Sequence, residues 1–105
     1  MHEAMKIVII TERSILEGVA AIRDEKGATG YTHTPAGGKG PRGVRNLGRA
    51  AVSGLQTNVR IESIVADRTA AEGIIEAVAE RYFEDYSGIA YVMPVEILRP
   101  HKFKV

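Results

Sequence analysis

The change of hydrophobic period along the chain constrains its fold most. A strand pattern gives way to a helix pattern and then to a second strand, and after a long polar interval strand, helix and strand follow again. Met5–Thr11 is short and rich in Ile and Val, which suits a buried strand. In Arg13–Lys26 the apolar positions Ile15, Val19 and Ile22 fall at i, i+4 and i+7, with Leu16 and Ala20 beside them. That is one face of a helix, and Gly27 stops it. Ala28–Pro35 reads as a second strand, its Tyr31-Thr32-His33-Thr34 being β-prone.

The second half repeats the succession. In Asn58–Ala66, Val59, Ile61, Ser63 and Val65 face one way and Asn58, Arg60, Glu62 and Ile64 the other, as in a strand with one polar face. Thr69-Ala70-Ala71-Glu72 fits a capping box before a helix from Ala70 to about Tyr86, with Ile74, Ile75, Val78, Tyr82 and Phe83 on its face. Gly88–Met93 is the fourth strand; Pro94 is expected to interrupt it, with Val95–Leu98 as a short edge extension. The order βαββαβ predicts an α+β, ferredoxin-like domain over residues 1–105, a four-stranded antiparallel sheet with both helices on one face. The other face would carry Tyr91 and Met93, and a symmetric oligomer is its simplest cover. A domain of this length buries only about two-thirds of its unfolded surface, so association would help it.

Composition narrows the function classes. There is no Cys, which excludes disulfide frameworks, thiolate metal sites and Cys nucleophiles. No apolar run approaches the ~20 residues of a membrane span, and Ile7–Ile10, followed by Thr11-Glu12-Arg13, is too short for a secretory leader. The cytoplasm is the expected compartment.

Strands two and three should form a hairpin, yet residues 36–57 intervene, and loops this long in compact domains are usually functional or disordered. The segment holds Lys39, Arg42, Arg45 and Arg49 and no acid, so it carries +4 against −3 for the rest of the chain. It also holds Gly37, Gly38, Gly40, Gly43, Gly48 and Gly54. Glycines let backbone N–H groups converge on an anion, and arginine adds a planar fork that matches phosphate or carboxylate. Gly37–Arg45 therefore has the chemistry of a phosphate cradle, without the spacing of a Walker A loop. A solvated basic loop is the alternative on composition alone.

At this point the sequence resembles the PII signal-transduction superfamily, and within it the PII-like subfamily linked to bicarbonate transporters and carboxysomes (SbtB-like and carboxysomal PII proteins). The resemblance is carried, in order, by Lys6-Ile7-Val8-Ile9-Ile10-Thr11-Glu12, Gly27-Ala28-Thr29-Gly30-Tyr31-Thr32, Gly37-Gly38-Lys39-Gly40, Arg42 with Arg45, and Tyr82-Phe83-Glu84-Asp85-Tyr86-Ser87-Gly88-Ile89. It implies a homotrimer with three clefts between subunits, and residues 36–57 as the T-loop that senses ligand and touches partners. An adenine nucleotide (AMP, ADP, ATP or cyclic AMP) would bind in the cleft, with bicarbonate as a co-ligand and no obligatory cofactor. By match of motif, Lys39, Arg42 and Arg45, set among Gly38 and Gly40, would meet the phosphates. Adenine and ribose would lie against the backbone of Gly88 and Ile89, with Gly30 and Tyr31, beside Thr29, on the strand facing the cleft.

Certain departures are visible. No Tyr lies in the loop, so the uridylylation known from other PII proteins is not expected there. Asp85–Ile89 is too short, and lacks the lysine, for their glycine-lysine phosphate loop. Pro41 stands where transporter-linked members often carry Ser, and the Cys of a redox-controlled C-terminal loop is absent.

Other candidates carry less. His2, His33 and His101 match no metal spacing. Glu12 is placed to bond loop arginines or cap the first helix, and Glu84 and Asp85, adjacent on a helix, would not face each other. Tyr82 reads as core and Tyr91 as interface. The RNA-recognition fold shares this topology, but Gly30-Tyr31-Thr32 lacks its aromatic pair, so no nucleic-acid partner is expected. No Ser-His-Asp or metal constellation marks an enzyme; the resemblance leaves open a slow nucleotide phosphohydrolase activity. The expected function is thus a nucleotide sensor acting through its loop on a membrane bicarbonate transporter or a carboxysome-related protein, and so on inorganic-carbon uptake or carbon metabolism.

Overall fold

The structure, a computed structural model, describes residues 1–28, 30–37, 39–40, 43–44 and 58–98, with backbone alone for 39–40 and 43–44. Strand β1 (His2–Glu12) leads through a 3-10 turn (Arg13–Ile15) into helix α1 (Leu16–Glu25). Strands β2 (Thr32–Ala36), β3 (Lys39–Gly40), β4 (Gly43–Val44) and β5 (Asn58–Val65) follow, then helix α2 (Arg68–Tyr82) and strand β6 (Gly88–Ile97). The main sheet has the order β2-β5-β1-β6, antiparallel throughout. Strands β1 and β2, consecutive along the chain, are parted in the sheet by β5, which is the expected split arrangement.

The alternation in β1 and β5 decides which face is covered. Opposite residues share a face, so Ile7↔Ser63, Ile9↔Ile61 and Thr11↔Val59 point together. Met5, Ile7, Ile9, Val59, Ile61 and Val65 join Val19 and Ile22 of α1 and Ala71, Ile74 and Val78 of α2 in one core. Each Ile or Val buried there contributes roughly 1.5–3 kcal/mol relative to exposure. Both helices therefore cover the same face.

Several boundaries differ from the sequence reading, each for a local reason. Helix α1 ends in a Schellman motif: Gly27 has φ 89°, its N–H donates to the Asp24 carbonyl (3.1 Å), and the Ala28 N–H donates to the Arg23 carbonyl (3.0 Å). Gly27 and Ala28 are occupied in that cap, so β2 begins at Thr32 and not at Ala28. Helix α2 is capped by Asp67, whose carboxylate accepts from the Ala70 N–H at 2.9 Å, and not by Thr69. Glu72 instead pairs with Arg68 one turn earlier, at 3.6 Å. The helix ends at Tyr82, and two N–H groups, of Asp85 and Tyr86, fold back onto its carbonyl. Pro94 does not interrupt β6, which runs on to Ile97 opposite His2. The strand lies at the sheet edge, where one side of the backbone has no ladder to lose. Within the long loop, Lys39↔Val44 and Gly40↔Gly43 form a short antiparallel pair that the weak periodicity did not suggest.

Candidate functional site

Four strand ends meet at one end of the sheet. The register sets Glu12 opposite Asn58, Asn58 opposite Ala36, and Thr11 opposite Gly88. The basic loop thus leaves and re-enters the sheet at the end where β6 begins. Two hydrogen bonds fix that beginning. The Thr11 hydroxyl donates to the Ser87 carbonyl (2.7 Å), and the Ser87 N–H donates to Glu12 Oε2 (2.6 Å). Glu12 therefore does not cap the first helical turn through its side chain but holds the approach to β6; the loop arginines expected to meet it lie outside the described residues. Gly88 is required by this packing. A Cβ there would lie 2.5 Å from the Phe83 ring and 3.0 Å from Thr11 Oγ1.

Gly88 and Ile89 line a groove of about 310 Å³ with Ile75, Ala79, Phe83 and Ala90. That volume sits at the low end of the ~300–1,000 Å³ of ligand cavities, so this wall would enclose only part of a nucleotide. At the loop root, Asn58 is wholly buried and neither atom of its amide is hydrogen-bonded among the described residues. An unpaired buried polar group of this kind costs about 1–3 kcal/mol. The sequence reading passed over it as one more polar position of the alternating strand.

Gly30 and Tyr31 lie elsewhere. They precede β2, at the end of that edge strand away from the loop root, and both are exposed. Three strand spacings separate the two edge strands, about 14 Å, and the five residues of β2 add about 17 Å along the strand direction. One chain therefore does not bring Gly30 and Tyr31 together with Gly88 and Ile89. Arg23 governs the Gly30 corner: its Nη2 donates to the Gly30 carbonyl, its Nε donates to Ser63 Oγ (2.5 Å), and its guanidinium carbon sits 4.8 Å from the Tyr31 ring centre. Burial pulls the Arg23 pKa down, opposed by the nearby Asp24 and Tyr31. The Tyr31 ring also meets His33, with centroids 5.8 Å apart.

Of the phosphate-cradle residues, Lys39 and Gly40 form β3, while Gly38, Arg42 and Arg45, like Thr29 and Pro41, lie outside the described residues. Tyr82 packs against the core and meets Tyr86 edge-on at 5.9 Å. The face away from the helices exposes Ile89 (48%), Tyr91 (39%) and Met93 (41%), enough apolar surface to mark a contact area. Beside them run the ion pairs Lys6–Glu62 (3.7 Å) and Arg60–Glu62 (3.0 Å). Among the described residues no three carboxylate or imidazole groups cluster as metal ligands, and no helix is long and apolar enough to cross a membrane.

Comparison with known proteins places this geometry. The family model described as nitrogen regulatory protein P-II matches residues 4–102. A PII-like signalling protein from Thermus thermophilus superimposes with a TM-score of 0.79 at 31% identity, over 97% of this chain and 96% of that one. CPII, a nitrogen regulatory PII-like protein from Thiomonas intermedia, solved with ADP, AMP and bicarbonate bound, gives a TM-score of 0.82 at 25% identity, over 99% and 96%. The same CPII bound to ADP and bicarbonate gives 0.81 at 25% identity, over 97% and 95%.

Proposed function

The chain belongs to the PII family, and from that premise we propose that it is a homotrimeric sensor of adenine nucleotides whose sites lie between subunits. The observation that carries the reading is the separation of the expected site residues. Gly30 and Tyr31 stand before one edge strand, β2, and Gly88 and Ile89 at the start of the other, β6, beside the loop root. Each pair is half a wall, and the exposed face with Ile89, Tyr91 and Met93 gives copies a surface on which to meet. The bound ADP, AMP and bicarbonate of CPII supply the ligand class.

In this reading the base and ribose rest on the backbone at Gly88–Ile89, with Gly30 and Tyr31 closing the cleft. Lys39, Arg42 and Arg45, spaced by Gly38 and Gly40, take the phosphates. Charge-assisted bonds of that kind contribute roughly 1.5–3 kcal/mol each. Bicarbonate, a small anion, shares the arginines. Ligand shifts the loop only through its differential affinity for the ordered form, and the ordered loop presents or hides a surface for a partner. The partner class is a membrane bicarbonate transporter or a carboxysome-related protein, which would hold this cytoplasmic protein at the membrane periphery and tie it to inorganic-carbon uptake.

The test is a calorimetric screen of AMP, ADP, ATP and cyclic AMP, each with and without bicarbonate, beside sedimentation equilibrium of the free protein. The expected outcome is a trimer mass and saturable binding of at least one of the four. A stable monomer at micromolar concentration, or no binding by any nucleotide, overturns the reading.

A further inference from the structure

The buried residues of α1 are Val19, Ile22 and Arg23, so a guanidinium occupies an i+4 place on an apolar stripe. Arg23 has no accessible surface. Two of its nitrogens donate to neutral oxygens, those of Ser63 and Gly30, and the third, Nη1, has no hydrogen-bond partner among the described residues. None of the ion pairs among the described residues includes it. A buried charge held only by neutral acceptors is costly, and an apolar side chain of the same length would suit the stripe better. Stability therefore does not account for it.

What the guanidinium does, and a methionine could not, is tie three separate elements together. Its stem belongs to α1, its Nε holds Ser63 of β5, and its Nη2 holds the Gly30 carbonyl while its central carbon sits over the Tyr31 ring. The segment it holds has little else to fix it. Gly30 and Tyr31 stand before the first paired residue of β2, both are exposed, and nothing stands within 4 Å of where a Gly30 Cβ would be. A planar fork with several donors is suited to fixing such a segment in one place.

We propose that Arg23 is a positioning residue for the nucleotide site: its buried guanidinium fixes the Gly30–Tyr31 segment in the place from which it meets the adenosine part of the ligand. The proposal rests on the nucleotide reading above for the identity of that ligand, and Arg23 itself touches no ligand.

Arg23→Met keeps the length of the stem and removes the charge and all donors; Arg23→Lys keeps the charge but cannot reach both oxygens at once. Melting, the ring-proton signals of Tyr31, and calorimetric titration with AMP and with ADP are read on the wild type and on both variants. Arg23→Met is expected to melt no lower than the wild type and to move the Tyr31 signals. It should weaken AMP and ADP by the same factor, about tenfold, because the Gly30–Tyr31 segment is no longer held in its binding place. Equal factors place the effect at the adenosine end, and Arg23→Lys should recover only part of the loss. A purely structural role would instead lower the melting temperature and leave both affinities unchanged, and that result overturns the proposal. Should Arg23→Met not fold, Ser63→Ala removes one acceptor without touching the charge and should weaken both nucleotides about two- to threefold; unchanged affinity there also overturns the proposal. If the wild type binds neither nucleotide, the nucleotide reading fails before any variant is compared, and the proposal fails with it.

Discussion

The two faces of the sheet obey the same alternation and end in opposite states. Toward the helices, Ile7, Ile9, Val59, Ile61 and Val65 are sealed within one chain. On the other face Val8 is also buried, but its neighbours in β6 (Ile89, Tyr91 and Met93) stay open, bordered by Lys6, Arg60 and Glu62. The helix face explains why the chain folds. The open face is where a second copy can add something, because its apolar side chains in β6 stay exposed while Lys6, Arg60 and Glu62 are already paired with each other. Substitutions on the helix face should therefore act on folding itself, and those on the open face on assembly.

Ile61→Ala should break the first half of that contrast most strongly. The side chain is buried between β1 and the helices, and its truncation should cost about 2–5 kcal/mol, read as a lower denaturant midpoint with an unchanged slope. Tyr91→Glu should do the reverse. Its secondary structure should persist by circular dichroism, while sedimentation equilibrium shows the monomer mass, because a charge would have to be buried between copies. Apparent stability would fall only through the lost association. If Tyr91→Glu unfolds the chain as Ile61→Ala does, the two faces are not separable. Gly88→Ala tests the seam between fold and site. Its methyl group would press on Phe83 and Thr11, at a cost of about 1–3 kcal/mol, and a thermal melt should show it. The smallest effect is expected from Lys6→Met on the open face. The Lys6–Glu62 pair is partly exposed and Glu62 keeps Arg60, so unfolding should change by less than about 1 kcal/mol.

Much of the fold was legible because periodicity reports burial directly. The alternation of β5 and the Ile/Val run of β1 settled both strands, and Gly27 marked the helix end whose Schellman bonds are seen. The start of α2 was misread because Thr69 and Asp67 both suit an N-cap, and only backbone geometry chooses between them. Pro94 was misread because a proline ends a strand or rides its edge according to which strands pair, a non-local matter. Of the site, Gly88 was named for its motif, but the reason for its glycine, the Phe83 ring, comes from an element that packs back on the strand. Arg23 carried a signal that went unused, a charged residue four places after Val19 on an apolar stripe. Such a residue reads as solvated until Ser63, far along the chain, is seen to meet it.

If an adenine nucleotide is held by its phosphates on the basic loop, a paired titration will separate phosphate from adenosine binding. ADP and adenosine are each titrated into the wild type and into Arg45→Ala. Arg45→Ala is expected to weaken ADP by about 10- to 100-fold, the equivalent of one or two charge-assisted bonds, and to leave adenosine nearly unchanged. Equal binding of ADP by the two proteins would contradict phosphate binding on the loop.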